Sequence, residues 1–174
     1  MLPSPFVASE SGPRLATIGV YGWSAATFVA ALQSAGVELL LDVRQRRGVR
    51  GSEYAWANAL RLQGAMAEAA IAYRHVPELA PTTELRHLQY REDDRLRVGK
   101  RSREELAPAY RERYTREILD RADLAALVRG LPANGVSVLM CVERDPRACH
   151  RSIVAERLAR DHGASVTDIV PGEA

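Results

Sequence analysis

The chain has 174 residues and a formal net charge of +2, with 47% apolar and 26% charged residues. This length is typical of one domain, and this composition excludes a disordered or collagen-like chain. No apolar run reaches the roughly 20 residues of a membrane helix, and residues 1–13 show no secretory signal pattern. We expect a cytoplasmic protein with a loose leader over residues 1–13 and a single domain over residues 14–174.

The basic residues are almost all arginine. Of 24 basic residues, only Lys100 is a lysine. GC-rich coding explains such a bias by itself, whereas a functional explanation is phosphate or carboxylate recognition, at which arginine is better than lysine. The small net charge does not by itself indicate nucleic-acid binding. Only the positions of the arginines can distinguish a coding bias from a functional role.

The first half of the chain alternates between strand and helix patterns. An apolar run predicts a strand from Leu15 to Val20, and Ser24 to Ala35 reads as a helix that begins at a serine cap and stops at a glycine. The nearly continuous apolar run from Val37 to Val43 is typical of a strand covered on both faces. A second helix is predicted from Trp56 to Ala70, followed by a third strand from Ile71 to Val76.

The second half continues the alternation after a longer insert. Residues 81–100 are polar and predict irregular structure with at most a short helix. Residues 102–131 predict one or two helices, broken near a proline or an aspartate. A fourth strand is predicted from Val136 to Cys141, a helix from Asp145 to about His162 with aspartate and proline as its start signals, and a last strand from Ala164 to Val170.

Strands that alternate with helices predict a parallel α/β sheet of about five strands, Rossmann-like, with helices on both faces. We expect the strand order 3-2-1-4-5, with a related doubly wound order as the alternative. Ligands bind such sheets beyond the carboxyl ends of the strands. Polar side chains that can bind a ligand or take part in catalysis are concentrated in the four loops at that edge, over residues 19–24, 42–51, 75–78 and 141–151. The loops at the opposite edge are ordinary turn sequences.

Four short motifs follow the strands in order: Thr17-Ile-Gly19, Asp42-Val-Arg44, Tyr73-x-His75-x-Pro77-x-Leu79 and Cys141-x-Glu143-x-x-Pro146-x-x-Cys149-His150-Arg151. With these motifs the chain resembles the domain-of-unknown-function 488 family from about Leu15 to Val170. The resemblance implies a small α/β domain of bacterial and archaeal type, usually without an assigned reaction.

The last motif supplies the candidate catalytic residues, which are Cys149, His150 and Glu143. A thiol near a helix N-terminus and beside a basic group can have a lowered pKa, and the helix start suits an anion. The candidate ligand-binding residues lie on the same four loops: Asp42, Arg44, His75, Arg151, Tyr21 and Trp23. Structural roles remain open for all of them, such as packing for the thiols and carboxylate pairing for Arg151.

Three other kinds of site are weighed against this one. Cys141 and Arg147 have the spacing of a phosphatase phosphate loop, but a proline and two carboxylates lie between them. The ligand types of Cys141, Cys149, His150 and His75 suit a metal, although their spacing is not that of a standard zinc pair. Asp42-Val-Arg44 also resembles a rhodanese-like strand end, without an identifiable catalytic cysteine. We expect neither a metal nor a cofactor, and reduced thiols.

These observations predict a domain that binds or processes a small phosphate- or nucleotide-like anion in a cleft at the strand ends. The alternative is a nucleic-acid-associated module that uses the arginine-rich loop over residues 44–50. The sequence leaves open whether the protein is an enzyme and what its oligomeric state is, and it predicts no membrane contact.

Overall fold

The computed structural model describes residues 11–172, so the leader expected over residues 1–13 lies largely outside the described residues. The strand patterns hold within about two residues at each end, and all strand pairs are parallel. The five strands form one sheet: β1 (Arg14–Ile18), β2 (Val37–Asp42), β3 (Ala72–His75), β4 (Val136–Met140) and β5 (Ser165–Ile169).

Six α-helices lie in the described part of the chain: α1 (Ala25–Ser34), α2 (Ala59–Glu68), α3 (Thr83–Leu96), α4 (Pro108–Glu117), α5 (Leu124–Arg129) and α6 (His150–His162). The prediction of irregular structure over residues 81–100 was wrong, because α3 fills most of that segment with Thr82 as its N-cap. The predicted helix from Asp145 is also divided. A 3-10 turn at Pro146–Ala148 comes first, and α6 begins only at His150.

The strand order is β3-β2-β4-β1-β5, so the predicted order 3-2-1-4-5 was wrong. Strand β4 lies between β2 and β1, because β2 and β1 both pair with it rather than with each other. Apolar patterns tell which strands are buried but not which strands are neighbours. The consequence for function is that the loop after β4 lies directly beside the loop after β2.

Helices cover both faces of the sheet, which confirms the α/β fold class. On one face, α1 and α2 contribute Phe28 and Met66 to a core that includes Leu40 of β2. On the other face, α4 and α6 contribute Tyr114 and Leu158, among others, to a core that includes the adjacent β2 residues. Successive β2 side chains therefore face opposite cores, as the period of two in a strand requires. None of the helices in residues 11–172 is long and apolar enough to cross a membrane.

Candidate functional site

The segment after β2 is held by a buried ion pair. The Arg44 guanidinium donates from Nε and Nη2 to the two carboxylate oxygens of Asp42, at 2.8 and 2.7 Å, and from Nη1 to the Ala57 carbonyl at 2.9 Å. The Tyr73 hydroxyl also donates to Asp42. Both charged side chains are almost completely buried. The ion pair therefore fixes the turn whose carbonyl groups face the site.

Two histidines contact the carbonyl oxygens of this turn. Nε2 of His150 lies 2.9 Å from the Val43 oxygen, and Nε2 of His75 lies 3.0 Å from the Arg44 oxygen. A carbonyl oxygen can only accept a hydrogen bond, so each Nε2 carries the hydrogen. In its neutral form, the His150 ring therefore presents an unprotonated Nδ1 that can accept a proton.

Nδ1 of His150 faces two thiols. The sulfur atoms of Cys141 and Cys149 are each 3.8 Å from it, and all three side chains are buried. Burial raises the pKa of Cys149, but the Cys141 thiol and the positive charge of His150 outweigh it and hold that pKa well below its ordinary value. Interaction with Cys149 raises the pKa of Cys141, and burial adds to this rise. The thiol pair thus favours one thiolate, on Cys149.

The backbone around Cys149 explains why this thiol turns toward the sheet. Asp145 accepts the backbone N–H of Arg147 at 2.9 Å and so starts the 3-10 turn. Cys149 then adopts an extended conformation, with φ −137° and ψ 144°, and serves as the N-cap residue of α6. This break between turn and helix aims Cys149 and His150 at the same space beside Cys141.

Glu143 is the third candidate catalytic residue, and it is also buried. Its Oε2 accepts from the Cys141 thiol at 3.6 Å, and its Oε1 accepts from Arg103 Nη2 at 3.1 Å. Lys100 Nζ lies 3.8 Å from Oε1. Burial is the largest influence on Glu143 and raises its pKa, with the nearby Cys149 adding to the rise. Glu143 can therefore hold a proton at a higher pH than an exposed glutamate.

A cavity of about 450 Å³ opens above these groups. Its lining includes all three candidate catalytic residues, six cationic side chains and one carboxylate, that of Glu143. Three of the cations, Arg46, Arg50 and Arg86, form no ion pair with any acidic side chain among residues 11–172. The lining therefore carries an excess of positive charge, and the Cys149 side chain lies at the base of the cavity. We call it the cationic pocket.

Tyr21 contributes an aromatic wall to the cationic pocket. Its ring centroid is 5.2 Å from that of Tyr54, and the Arg101 guanidinium lies 5.1 Å from the centroid of the Tyr21 ring. The backbone N–H of Tyr21 donates to the Val142 carbonyl at 3.0 Å, which connects the loops after β1 and β4. The aromatic wall is therefore fixed relative to the thiols.

The profile of one family, described as Domain of unknown function DUF488, matches residues 24–158. The chain belongs to this family. The match covers all the candidate catalytic residues and most of the cationic pocket, including both loops that carry the thiols and the arginines. No curated protein and no solved structure matches the chain.

The DUF488 fold brings only some of the predicted ligand-binding residues to the pocket surface. Tyr21 and Arg44 line it, although the Arg44 guanidinium is taken up by Asp42. Asp42 and His75 do not line the pocket, and both contact Arg44 from behind the lining. Trp23 does not line the pocket, and its ring contacts Phe28 on the α1 side of the sheet.

Arg151 is completely buried and does not line the pocket. Its Nη1 donates to the Glu143 carbonyl at 2.6 Å, its Nη2 to the Arg144 carbonyl at 3.2 Å and its Nε to Thr17 Oγ1 at 3.3 Å. Thr17 in turn donates to Asp168 at 2.6 Å. Arg151 thus fastens the loop after β4 to β1, and its partners are carbonyl groups and a hydroxyl, not the carboxylate that the sequence left open.

Sequence reasoning missed the cations that α3 and the following loop bring to the pocket. The closely mixed charges of residues 91–121 are typical of a solvated helix face, yet Arg103 is buried between Asp93, Glu143 and the Ala148 carbonyl. The buried residues of α3 are Leu85, Gln89 and Asp93. Their spacing of four residues is that of a helix face, but two of the three are polar and so form no apolar pattern. Lys100 offered one signal, since it is the single lysine among 24 basic residues.

Proposed function

We propose that this DUF488 domain binds a small phosphate- or nucleotide-like anion in the cationic pocket, and that Cys149, His150 and Glu143 act on it. The observation that carries the proposal is the charge of the lining, six cations to one carboxylate. Arg46 and Arg50 have no acidic partner in the described chain, so their guanidinium groups are available to an incoming oxyanion. Arg86 donates to two neutral side chains, Gln45 and Tyr90, which an oxyanion would have to replace. Arginine suits that task because its planar fork presents paired donors to phosphate oxygens.

The size of the pocket supports a small ligand. A volume of about 450 Å³ falls within the roughly 300–1,000 Å³ usual for small-molecule sites. The Tyr21 ring, with the Arg101 guanidinium over it, adds an aromatic surface beside which a base or sugar can pack. These features favour a phosphate ester or nucleotide over a long polymer.

The groups at the base of the pocket can supply chemistry as well as binding. Cys149 offers a sulfur that ionises readily, which suits both nucleophilic attack and metal ligation. His150 offers Nδ1 as a proton acceptor, and Glu143 offers a carboxylic acid whose raised pKa suits proton donation. A phosphatase phosphate loop formed by Cys141 and Arg147 is not supported, because Arg147 does not line the pocket and is paired with Asp145.

Nucleic-acid binding by residues 44–50 is the second candidate, and the exposure of Arg46 and Arg50 favours it. It leaves the buried groups Cys149, His150 and Glu143 without a task, since contacts to a phosphate backbone need only donors. We also place the protein in the cytoplasm, where reducing conditions keep both cysteines as thiols.

Calorimetric titration and thermal melts with phosphate, pyrophosphate and nucleoside mono- and diphosphates test the proposal. We expect at least one of these anions to bind, and the double variant Arg46→Ala/Arg50→Ala to lose about tenfold or more in affinity, the equivalent of one charged contact. Arg61→Ala is the matched control, because Arg61 is exposed on α2, away from the pocket.

Two results would contradict the small-anion proposal. One is that none of these anions binds. The other is that only an oligonucleotide binds, with an affinity that falls steeply as salt rises, as backbone contacts require. That second result would favour the nucleic-acid function.

A further inference from the structure

Three side chains at the base of the cationic pocket present metal-ligand atoms to one point. The sulfurs of Cys141 and Cys149 and Nδ1 of His150 all lie within 4.8 Å of one another, and Nδ1 is 3.8 Å from each sulfur. Around a tetrahedral zinc ion, with Zn–S near 2.3 Å and Zn–N near 2.0 Å, a sulfur and a nitrogen ligand lie about 3.5 Å apart and two sulfurs about 3.8 Å apart. The two Nδ1–sulfur distances of 3.8 Å are therefore close to, and slightly longer than, those around a bound zinc ion.

The other side of the His150 ring supports the same assignment. A histidine that ligates a metal usually donates its second ring N–H to a carbonyl or carboxylate, which fixes the ring and leaves the other nitrogen unprotonated. Nε2 of His150 is 2.9 Å from the Val43 carbonyl oxygen, and the buried pair of Asp42 and Arg44 holds that turn in place. Nδ1 therefore faces the two sulfurs and is the ring nitrogen left to bind a metal, which would displace the proton that Nδ1 holds in the metal-free ion pair.

We propose that Cys141, Cys149 and His150 bind one zinc ion whose fourth position opens into the cationic pocket. Two thiolates and one imidazole are ligands that zinc accepts readily, and two thiolates balance the charge of the ion. All three residues line the pocket, so the open position faces the space assigned to the anion. The inference rests on the proposed function only for what occupies that fourth position. With zinc bound, Cys149 and His150 serve as its ligands and not as nucleophile and proton acceptor.

Sequence spacing could not show this site. Cys141 lies at the end of β4, whereas Cys149 and His150 lie eight and nine residues later, at the start of α6. Standard zinc motifs carry their ligands as closely spaced pairs on one turn. Here a strand end and a helix start bring the ligands together, and the expectation of no metal rested on the missing spacing alone.

Elemental analysis and cobalt substitution test the site directly. We expect the full chain, purified with a phosphine reductant, to retain about one zinc per chain after desalting, the stoichiometry of a single site. Cobalt(II) added to metal-free protein is expected to give sulfur-to-cobalt charge-transfer bands and the intense visible bands of tetrahedral cobalt. Cys149→Ser is expected to abolish these bands and to weaken zinc binding by more than about 100-fold, which exceeds the usual effect of changing a residue that only supports a ligand.

His87→Gln is the matched control, because His87 lines the same pocket but is not among the three clustered ligands. It is expected to bind zinc as the wild type does. Circular dichroism shows whether Cys149→Ser is folded, and the wild-type cobalt spectrum decides the question even if that variant is not. Retention of no zinc by reduced wild-type protein, together with no thiolate bands on cobalt addition, would overturn the site.

Anion titrations of metal-free and zinc-loaded protein separate this inference from the proposed function. Equal anion binding with and without zinc would refute the open coordination position while leaving the anion pocket intact. Zinc binding without any anion binding would keep the metal site and refute the anion proposal. We expect zinc to increase anion affinity.

Discussion

Removing one member of the buried Asp42–Arg44 ion pair is expected to lower the free energy of unfolding far more than removing one member of a surface ion pair. Arg44 makes two bonds to the Asp42 carboxylate, and the two side chains are 1% and 0% exposed. Asp42→Asn keeps the shape but leaves a buried guanidinium without its countercharge. Breaking a buried pair in this way costs about 3–5 kcal/mol. For a chain of this length, such a loss lowers the melting temperature by roughly 6–20 °C.

A double-mutant cycle distinguishes the cost of the broken pair from the worth of the pair. Arg44→Met alone leaves the Asp42 carboxylate buried without its main partner, so it is expected to cost a similar amount. The double variant Asp42→Asn/Arg44→Met leaves no buried charge at either position. Its loss is expected to be smaller than the sum of the singles by about 3 kcal/mol, the upper range of measured couplings.

Urea denaturation followed by circular dichroism measures these free energies of unfolding, and an unchanged m-value shows that the variants unfold over the same surface. Glu92→Gln is the control, because the Glu92–Arg95 pair lies on the surface of α3 and exposed pairs contribute little. Single variants that cost less than about 1 kcal/mol, the range of exposed pairs, would refute the reasoning. So would a double variant whose loss equals the sum of the singles.

Three further predictions concern the segments around the thiols. Arg151→Ala is expected to lower the free energy of unfolding by about 3–5 kcal/mol, since two charged hydrogen bonds to buried carbonyls are lost, and to leave anion affinity unchanged in the folded variant. Weaker anion binding at an unchanged melting temperature would instead make Arg151 a ligand contact. Gly19→Ala is expected to cost about 3 kcal/mol in thermal melts, because its Cβ would lie only 1.8 Å from the Glu143 carbonyl oxygen; a wild-type melting temperature would contradict that contact. In metal-free protein, ultraviolet thiolate absorbance is expected at neutral pH and is expected to be absent from Cys149→Ser. The pKa of Cys149 is lowered and that of His150 is raised, so the ion pair and its stabilisation persist between the two pKa values and are lost as acid protonates the thiolate. Thiolate absorbance that appears only in alkali would contradict this prediction.

The amino-acid sequence determined most of the fold by itself. The run from Val37 to Val43 is apolar at nearly every position because β2 is covered on both faces, and strand and helix patterns alternate, which restricts the chain to a parallel α/β sheet. In such a sheet every strand end points to one edge. That rule alone placed Cys149, His150 and Glu143 near the turn that carries Asp42 and Arg44.

Only the tertiary structure decided how these groups meet. Lateral strand order depends on long-range pairing, which leaves no local pattern, so the position of β4 beside β2 and the contact of His150 with Val43 were not predictable. Burial of charged residues was hidden for a similar reason. Arg103 resembles a surface arginine in the sequence and Arg151 resembles a ligand contact, but partners that are remote in the chain or across a loop satisfy both inside the protein. The meeting of Cys141 with Cys149 likewise depends on the break between the 3-10 turn and α6, a backbone detail that residue spacing does not encode.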